Sequence, residues 1–459
     1  MKHLEGETIA AIATPIGAGG LGVVRISGPL SKQVLKTIFK PISSNGSIEP
    51  RKATIGWIVD NHGDKYDKAM ATYMQAPNSY TGEDIIEISC HGSPKLLREV
   101  LDLTIEAGAR LAERGEFTKR ALLNGKMDLA QAEAIADLIG ARTRESLRSA
   151  ARQMEGGLSR EISELKSKTM ELLSEIEASI DFPDEISDVP RGKQGSAING
   201  LIKGTEKLLS TAEQGRLYRE GLKVAIAGKA NVGKSSLLNA MLREERAIVT
   251  DAPGTTRDTI EEGVNIGGIP VNLIDTAGMR KTKNMAEKLG VERTGKAIDN
   301  ADIIIIVVDS SEKLAREDKA IISRTKDRTR IVALNKSDLK ERTGPADIKK
   351  AFGDTIKTIR TSAKYNKGIK ELERSIYNTA VKGCAGANMS VTINSRHKEC
   401  LIRAKEALIR SLESVKNSMS ADFVSIDLKA AASSLGEITG EEVSEEVIRS
   451  IFERFCVGK

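Results

Sequence analysis

The stretch KVAIAGKANVGKSSLLNAML, residues 223–242, decides the reading of the central third of the chain. It opens with an apolar, β-favouring run, turns through the glycine-bounded GKANVGKS (Gly228 to Ser235) and continues into a helix-forming run. A strand, a phosphate-binding loop and a helix N-terminus are what polyphosphate recognition needs. The loop's N–H groups and the helix start surround the β-phosphate, Lys234 neutralises charge, and the Ser235 hydroxyl reaches Mg²⁺.

Working outward, IPVNLID, IIIIVVD and RIVALNKSD are further apolar runs separated by helical patterns, which predicts a doubly wound α/β domain around a parallel sheet. Each run ends in a motif. DTAG (Asp275 to Gly278) closes one strand: its carboxylate suits the Mg²⁺ shell through water, and Gly278 offers an N–H to the γ-phosphate. In PGTTRD, Thr256 is a second hydroxyl for the metal.

NKSD (Asn335 to Asp338) sets the base. Guanine presents its N1–H and 2-amino group as donors, which an acceptor-only carboxylate matches, so Asp338 selects GTP over ATP. TSAK (Thr361 to Lys364) follows the next strand as a second base-contacting loop. The expected GTP contacts are therefore Asn231, Val232, Gly233, Lys234, Ser235 and Ser236 in the phosphate loop. Thr250, Asp251, Ala252, Pro253, Gly254, Thr255 and Thr256 follow in TDAPGTT, then Asp275, Thr276, Ala277 and Gly278. Asn335, Lys336, Ser337, Asp338, Ser362, Ala363 and Lys364 surround the base. Met279 stands directly after DTAG and cannot orient a water by hydrogen bonding, so hydrolysis either borrows another group or is slow.

The rest of the chain has a different texture. Up to about residue 125, short β-rich runs (TIAAIAT, GVVRISG, ATIGWIVD, DIIEISC) alternate with turn residues, which predicts an α+β domain. Three- and four-residue spacing of Leu165, Leu172, Leu173, Ile176 and Ile180 predicts helices after it, broken at DFPDEISDVPRGKQG. Helical spacing returns in LIRAKEALIRSLESV through Leu401, Ala404, Leu408 and Leu412. Neither helical flank closes a core alone, so one helical domain interrupted by the α/β domain is expected. The expected boundaries are an N-terminal domain at 1–122, helical parts at 123–217 and 381–459, and the nucleotide domain at 218–380.

Bulk properties fit this organisation. The 459 residues exceed one core at ~150 residues per domain. Aromatics at 3% argue against a base-stacking surface, and a net charge of +6 permits a nucleic-acid partner without demanding one. Cys90, Cys384, Cys400 and Cys456 are scattered without disulfide or zinc spacing, consistent with reduced thiols in a cytoplasmic protein. No run reaches the ~18–20 apolar residues of a spanning helix, and no secretory leader is read, so a soluble chain with no membrane partner is expected.

The ordered set GKANVGKSS, TDAPGTTRDT, DTAGMR, NKSD and TSAK, preceded by GGLGVVRISG, NSYTGEDIIEISCHG and GEFTKRALLNGKMDLAQAEAIADLI and closed by FCVGK, resembles the MnmE (TrmE) family of tRNA modification GTPases over essentially the full length. The GTPase motifs are widely shared; the N-terminal motifs and FCVGK are specific to that family. The resemblance implies a folate-binding α+β domain, a discontinuous helical domain and an inserted Ras-like P-loop G domain. It also implies a homodimer through the N-terminal domains and a complex with the FAD-dependent protein MnmG, a heterotetramer or larger. The implied activity places an aminomethyl or carboxymethylaminomethyl group at C5 of tRNA wobble uridine 34.

Carried onto matching positions, the resemblance implies K⁺ held by Asn231, Thr250, Ala252 and Thr255, with Glu287 acting through water and Lys234 and Asn231 supporting hydrolysis. Read alone, Glu287 is a solvated carboxylate. A 5-formyl- or 5,10-methylene-tetrahydrofolate would be held by Arg25, Glu87, Lys126 and the terminal Lys459. Read alone, Arg25 and Glu87 on apolar strands are equally a structural ion pair. Cys456 in FCVGK is a candidate nucleophile or a small packed residue, in a tail that local sequence would otherwise leave frayed. A regulatory or ribosome-assembly switch GTPase, without folate chemistry, is the competing reading.

Overall fold

The computed structural model of the chain describes residues 6–42, 48–244, 261–275, 298–353, 355–382 and 391–459. The N-terminal sequence forms β1 (Ile9–Ile12), β2 (Gly19–Ser27), α1 (Ser31–Ile38), β3 (Phe39–Pro41), β4 (Ala53–Val59), β5 (Lys65–Met74), β6 (Ile85–Gly92), α2 (Pro94–Glu106), β7 (Arg110–Leu111) and α3 (Glu116–Leu123). The strands make one seven-stranded sheet in the order β3-β4-β5-β6-β2-β1-β7, antiparallel except at β1–β7. Val24, Ile26, Ile58, Ala71, Ile86 and Ile88 bury one face against Val34, Leu35 and Ile38 of α1 and Leu97 and Val100 of α2.

Because side chains alternate along a strand, Arg25 and Glu87 point from the opposite face, and the β2–β6 register sets them directly opposite each other. Strand β5 is absent from the sequence reading. Its inward residues include only Ala69, Ala71 and Tyr73 among polar neighbours, so its apolar alternation is faint.

Five helices follow: α4 (Leu129–Gly140), α5 (Arg144–Met154), α6 (Gly157–Asp181), α7 (Arg191–Leu209) and α8 (Ala212–Glu220). The buried stripe of α6 runs through Leu158, Ile162, Leu172, Leu173 and Ile176, with Leu165 and Ile180 half-buried at its margins. The break between α6 and α7 is shorter than the composition suggests. Pro190, which has no N–H to satisfy, caps α7, and RGKQG becomes its first turns.

The nucleotide-motif segment forms β8 (Leu222–Ala227), α9 (Lys234–Glu244), β9 (Glu261–Ile266), β10 (Ile269–Asp275), β11 (Ile303–Asp309), α10 (Arg316–Arg324), β12 (Arg330–Asn335), α11 (Pro345–Phe352), β13 (Lys357–Arg360) and α12 (Ile369–Ala380). The six strands run β13-β12-β11-β8-β10-β9. All neighbours are parallel except β9 and β10, where the two-residue turn Gly267–Gly268 folds β10 back antiparallel along β9. The sheet is therefore mixed at one edge rather than wholly parallel. Two cores cover its faces, one around Val224, Ile226, Leu273 and Val307, the other around Ala225, Ile304, Ile306 and Leu334.

Helices α13 (Ser395–Lys416), α14 (Ala421–Thr439) and α15 (Glu445–Phe452) complete the chain. Among the described residues, no helix is long and apolar enough to cross a membrane. Two compact units are drawn from Met1–Ala136, Met154–Ser167 and Ala432–Lys459, and from Asp137–Gln153 and Lys168–Ala431. In the second unit α7 lies along α13, where Leu401, Ala404 and Leu408 are buried and Lys405 pairs with Glu206 at 2.7 Å. In the first unit, Phe452 and Phe455 pack with Leu129, Ala132 and Ile135 of α4.

Candidate functional site

The second unit gathers the nucleotide motifs at the C-terminal ends of its parallel strands, where doubly wound folds place their ligands. Strand β8 stops at Ala227 and α9 starts at Lys234, leaving GKANVG as the loop between them. Gly233 adopts φ +95°, and a Cβ there would fall 2.4 Å from Asn335 Nδ2, so only glycine fits. Lys234 is buried, and its ammonium donates to the carbonyls of Gly228 at 2.8 Å and Lys229 at 2.6 Å. The lysine thus closes the loop that carries it. Ser235 lies in the first turn of α9, and a hydroxyl is a hard oxygen of the kind that Mg²⁺ takes.

Asn335, at the end of β12 and 2% exposed, ties the motifs together. Its Nδ2 donates to Val232 O at 2.8 Å, while its Oδ1 accepts from the Ala363 N–H at 3.1 Å. Lys336 pairs with the buried Asp309 at 2.6 Å. Burial pushes the Asp309 carboxyl up, but the Lys336 and Ser311 hydrogen bonds outweigh it and hold it below the usual carboxylate range. Ser337 N donates to Thr361 O at 3.1 Å. Ser362 Oγ donates to Asp338 Oδ1 at 2.5 Å, a bond that, with Lys364 and Lys367, lowers the Asp338 carboxyl below its ordinary range. An acceptor-only carboxylate beside a fixed amide suits the guanine edge.

Asp275 ends β10 with its backbone paired to Ile226 of β8. Thr250, Asp251, Ala252, Pro253, Gly254, Thr255, Thr256, Thr276, Ala277, Gly278, Met279 and Glu287 lie outside the described residues. Of the candidate K⁺ ligands only Asn231 is described, at φ +62° in the phosphate loop.

The first unit holds a second constellation. Arg25 Nε donates to Glu87 Oε1 at 2.9 Å, and Nη2 lies 2.7 Å from the same oxygen. Nη1 donates to Gly458 O at 3.3 Å, so the far end of the chain meets the second strand. The guanidinium carbon sits 5.8 Å from the Tyr80 ring centroid and 5.7 Å from that of Phe117.

The tail is built in rather than frayed. Val457 bridges Arg114 in antiparallel fashion, and Gly115 N donates to Cys456 O at 3.3 Å. Gly458 takes φ +95°, and a Cβ there would lie 2.5 Å from Ile12 O. Lys126 is exposed, with its Cε 3.1 Å from where a Cβ of Gly82 would stand, and Lys459 is half-buried. The Lys126 and Lys459 side chains make no hydrogen bond or ion pair among the described residues, so the structure joins Arg25, Glu87 and the tail more firmly than the two lysines. A cation, a carboxylate, a phenol and an aromatic wall suit a flat, polar heterocycle such as a pterin.

The whole chain has close relatives. It is 46% identical over 457 residues to the tRNA modification GTPase MnmE of Clostridioides difficile (strain 630) and 45% identical over 458 residues to that of Thermoanaerobacter sp. (strain X514), covering 99% of both chains in each case. Residues 129–456 match the MnmE helical domain and residues 8–126 match the GTP-binding protein TrmE N-terminus. The chain belongs to the MnmE family. Its fold is accordingly a TrmE-type N-terminal α+β domain, a helical domain and a Ras-like G domain. Among solved structures, the G domain of the T. maritima FeoB iron transporter aligns at 28% identity over 35% of this chain and 98% of its own, with a TM-score of 0.27.

Membership in the MnmE family makes this a tRNA modification GTPase. Sequence motifs alone missed several participants: Asp309 behind Lys336, the Asn335 tie to Val232, and Tyr80, Phe117 and Gly458 around Arg25. Tyr80 lies within NSYTGED, and an aromatic in a chain so poor in aromatics was the available signal.

Proposed function

We propose that the chain is a K⁺-dependent GTPase that, with the FAD-dependent protein MnmG, installs the aminomethyl or carboxymethylaminomethyl group at C5 of tRNA wobble uridine 34. It works as a cytoplasmic homodimer and takes its carbon from a 5-formyl- or 5,10-methylene-tetrahydrofolate. The carrying observation is the meeting of Arg25, Glu87 and the Gly458 carbonyl of the C-terminal tail, which a switch GTPase without one-carbon chemistry does not require.

In this reading Arg25 and Glu87 hydrogen-bond the pterin edge, Lys126 and Lys459 supply charge for its anionic parts, and the folded tail keeps water from the site. The cofactor contributes a one-carbon unit at the methylene or formyl oxidation level. Cys456, exposed on the tail, is available as a nucleophile.

In the G domain Asp338 accepts from guanine, and Lys234 and the phosphate-loop N–H groups hold the phosphates. Ser235 and Thr256 would ligate Mg²⁺. Asn231, Thr250, Ala252 and Thr255 would hold a K⁺ that offsets developing charge in place of an arginine finger. Glu287 orients the attacking water that Met279 cannot.

The test is calorimetric binding of 5-formyltetrahydrofolate to the intact chain and to one lacking Cys456 to Lys459. Binding by the first and its loss in the second are expected. An intact chain that ignores the ligand removes the one-carbon reading and favours the switch GTPase.

A further inference from the structure

The loop 79–84, SYTGED, is fastened more heavily than a surface connection requires. Ser79 Oγ donates to Glu83 O at 2.5 Å, and the fully buried Ser27 and Thr81 hydroxyls share a 2.8 Å bond. The Glu83 carboxylate accepts from Ser27 Oγ at 2.8 Å and from the buried Arg120 at 3.0 Å. Asn124 Nδ2 donates to Thr81 O at 2.7 Å. These bonds fix the loop to β2, α3 and the turn after α3.

The residue so fixed is Tyr80. Its hydroxyl shares a 2.9 Å hydrogen bond with Thr118 Oγ1 of α3, and its ring faces the Arg25 guanidinium together with Phe117. Burial pushes the Tyr80 phenol above its ordinary range, so it stays protonated and bonded at neutral pH. Two positions on, Gly82 lies against the Lys126 stem.

Arg25 needs such support. Both of its contacts with Glu87 fall on one oxygen, Oε1, and so lack the two parallel N–H···O bonds of a fork, which would hold the guanidinium plane. The ring quadrupoles of Tyr80 and Phe117, both within cation–π distance, supply the missing restraint. We infer that Tyr80 is a positioning residue of the one-carbon site: with Phe117 it sets the plane in which Arg25 meets a flat, acceptor-bearing ligand. The inference deepens the folate reading and rests on it.

The experiment is calorimetric titration of the full-length chain with 5-formyltetrahydrofolate, for wild type, Tyr80→Leu, Tyr80→Phe, Arg25→Lys and Arg25→Lys/Tyr80→Leu. Removing the ring should weaken binding about 10-fold, while Tyr80→Phe, which keeps the ring, should stay within about threefold of wild type. In the Arg25→Lys background the Leu substitution should add less than about twofold, because the guanidinium it positions is gone. Wild-type affinity in Tyr80→Leu, or an equal loss in both backgrounds, overturns the inference while leaving folate binding intact. Should Tyr80→Leu fail to fold, a Tyr80→Phe chain as weak as Arg25→Lys overturns it instead. A wild type that does not bind folate defeats the underlying reading, and the inference with it.

Discussion

Asn335 Nδ2 donates to the main-chain oxygen of Val232 at 2.8 Å, so the base-reading strand end and the phosphate loop are joined by one buried side chain. The same amide accepts from Ala363, joining the third nucleotide loop as well. Asn335→Ala would remove the partner of the buried Val232 carbonyl and of the half-buried Ala363 N–H, costing about 1–3 kcal/mol. GTP affinity should fall at least about 10-fold, read by fluorescent-nucleotide titration.

Asp338 is exposed and accepts from Ser362 Oγ, a bond that lowers its carboxyl below the ordinary range. Asn at this position would present an N–H toward the guanine N1–H and 2-amino donors. Asp338→Asn should weaken GTP by about 100-fold and improve binding of XTP, whose C2 carbonyl accepts from the amide. Competition between the two nucleotides measures the switch.

Glu116 is 1% exposed and lies between two arginines, Arg110 at 2.7 Å and Arg120 at 2.9 Å. Burial pushes its carboxyl up, but hydrogen bonds from Arg110, the Glu113 N–H and Arg120 outweigh it and hold it at about 2, against an ordinary 4.5. A depressed carboxylate contributes stability fully present above pH 4.5 and lost as pH falls through 2, here about 3 kcal/mol. Denaturant unfolding followed through Trp57, the one tryptophan of the chain and in β4 of the N-terminal sheet, should show that slope. Glu116→Gln should flatten it and cost about 3 kcal/mol at neutral pH by removing the negative charge between Arg110 and Arg120.

Gly458 cannot accept a side chain without moving Ile12 or the tail, and its φ of +95° disfavours any other residue. Gly458→Ala should displace the carbonyl that Arg25 reaches and weaken 5-formyltetrahydrofolate binding about 10-fold by calorimetry.

Legibility in the sequence followed distance along the chain. GKANVGKS, NKSD and TSAK each sit at the end of one strand, so the strand, loop and helix signals that expose them are local. The Arg25–Glu87 pair depends on strand register across 62 positions, and the Gly458 contact spans 433, which no local pattern encodes. Strand β5 hid because small inward alanines carry little hydrophobic signal, and β9 because a Gly-Gly turn folds β10 back along it. The ties through Asn335, Asp309 and Tyr80 are side-chain geometry, visible only once the loops are folded.

Labelled carbon is followed from 5,10-methylene-tetrahydrofolate into tRNA, using the full-length chain, MnmG, FAD, GTP, Mg²⁺, K⁺ and ammonium or glycine as the nitrogen source. Label is expected in the methylene carbon attached to C5 of uridine 34, and is expected to be lost when Na⁺ replaces K⁺, when a non-hydrolysable GTP analogue replaces GTP, or when Arg25 is replaced by Ala. Absence of label in the complete mixture, or undiminished label from Arg25→Ala, would contradict the proposed function.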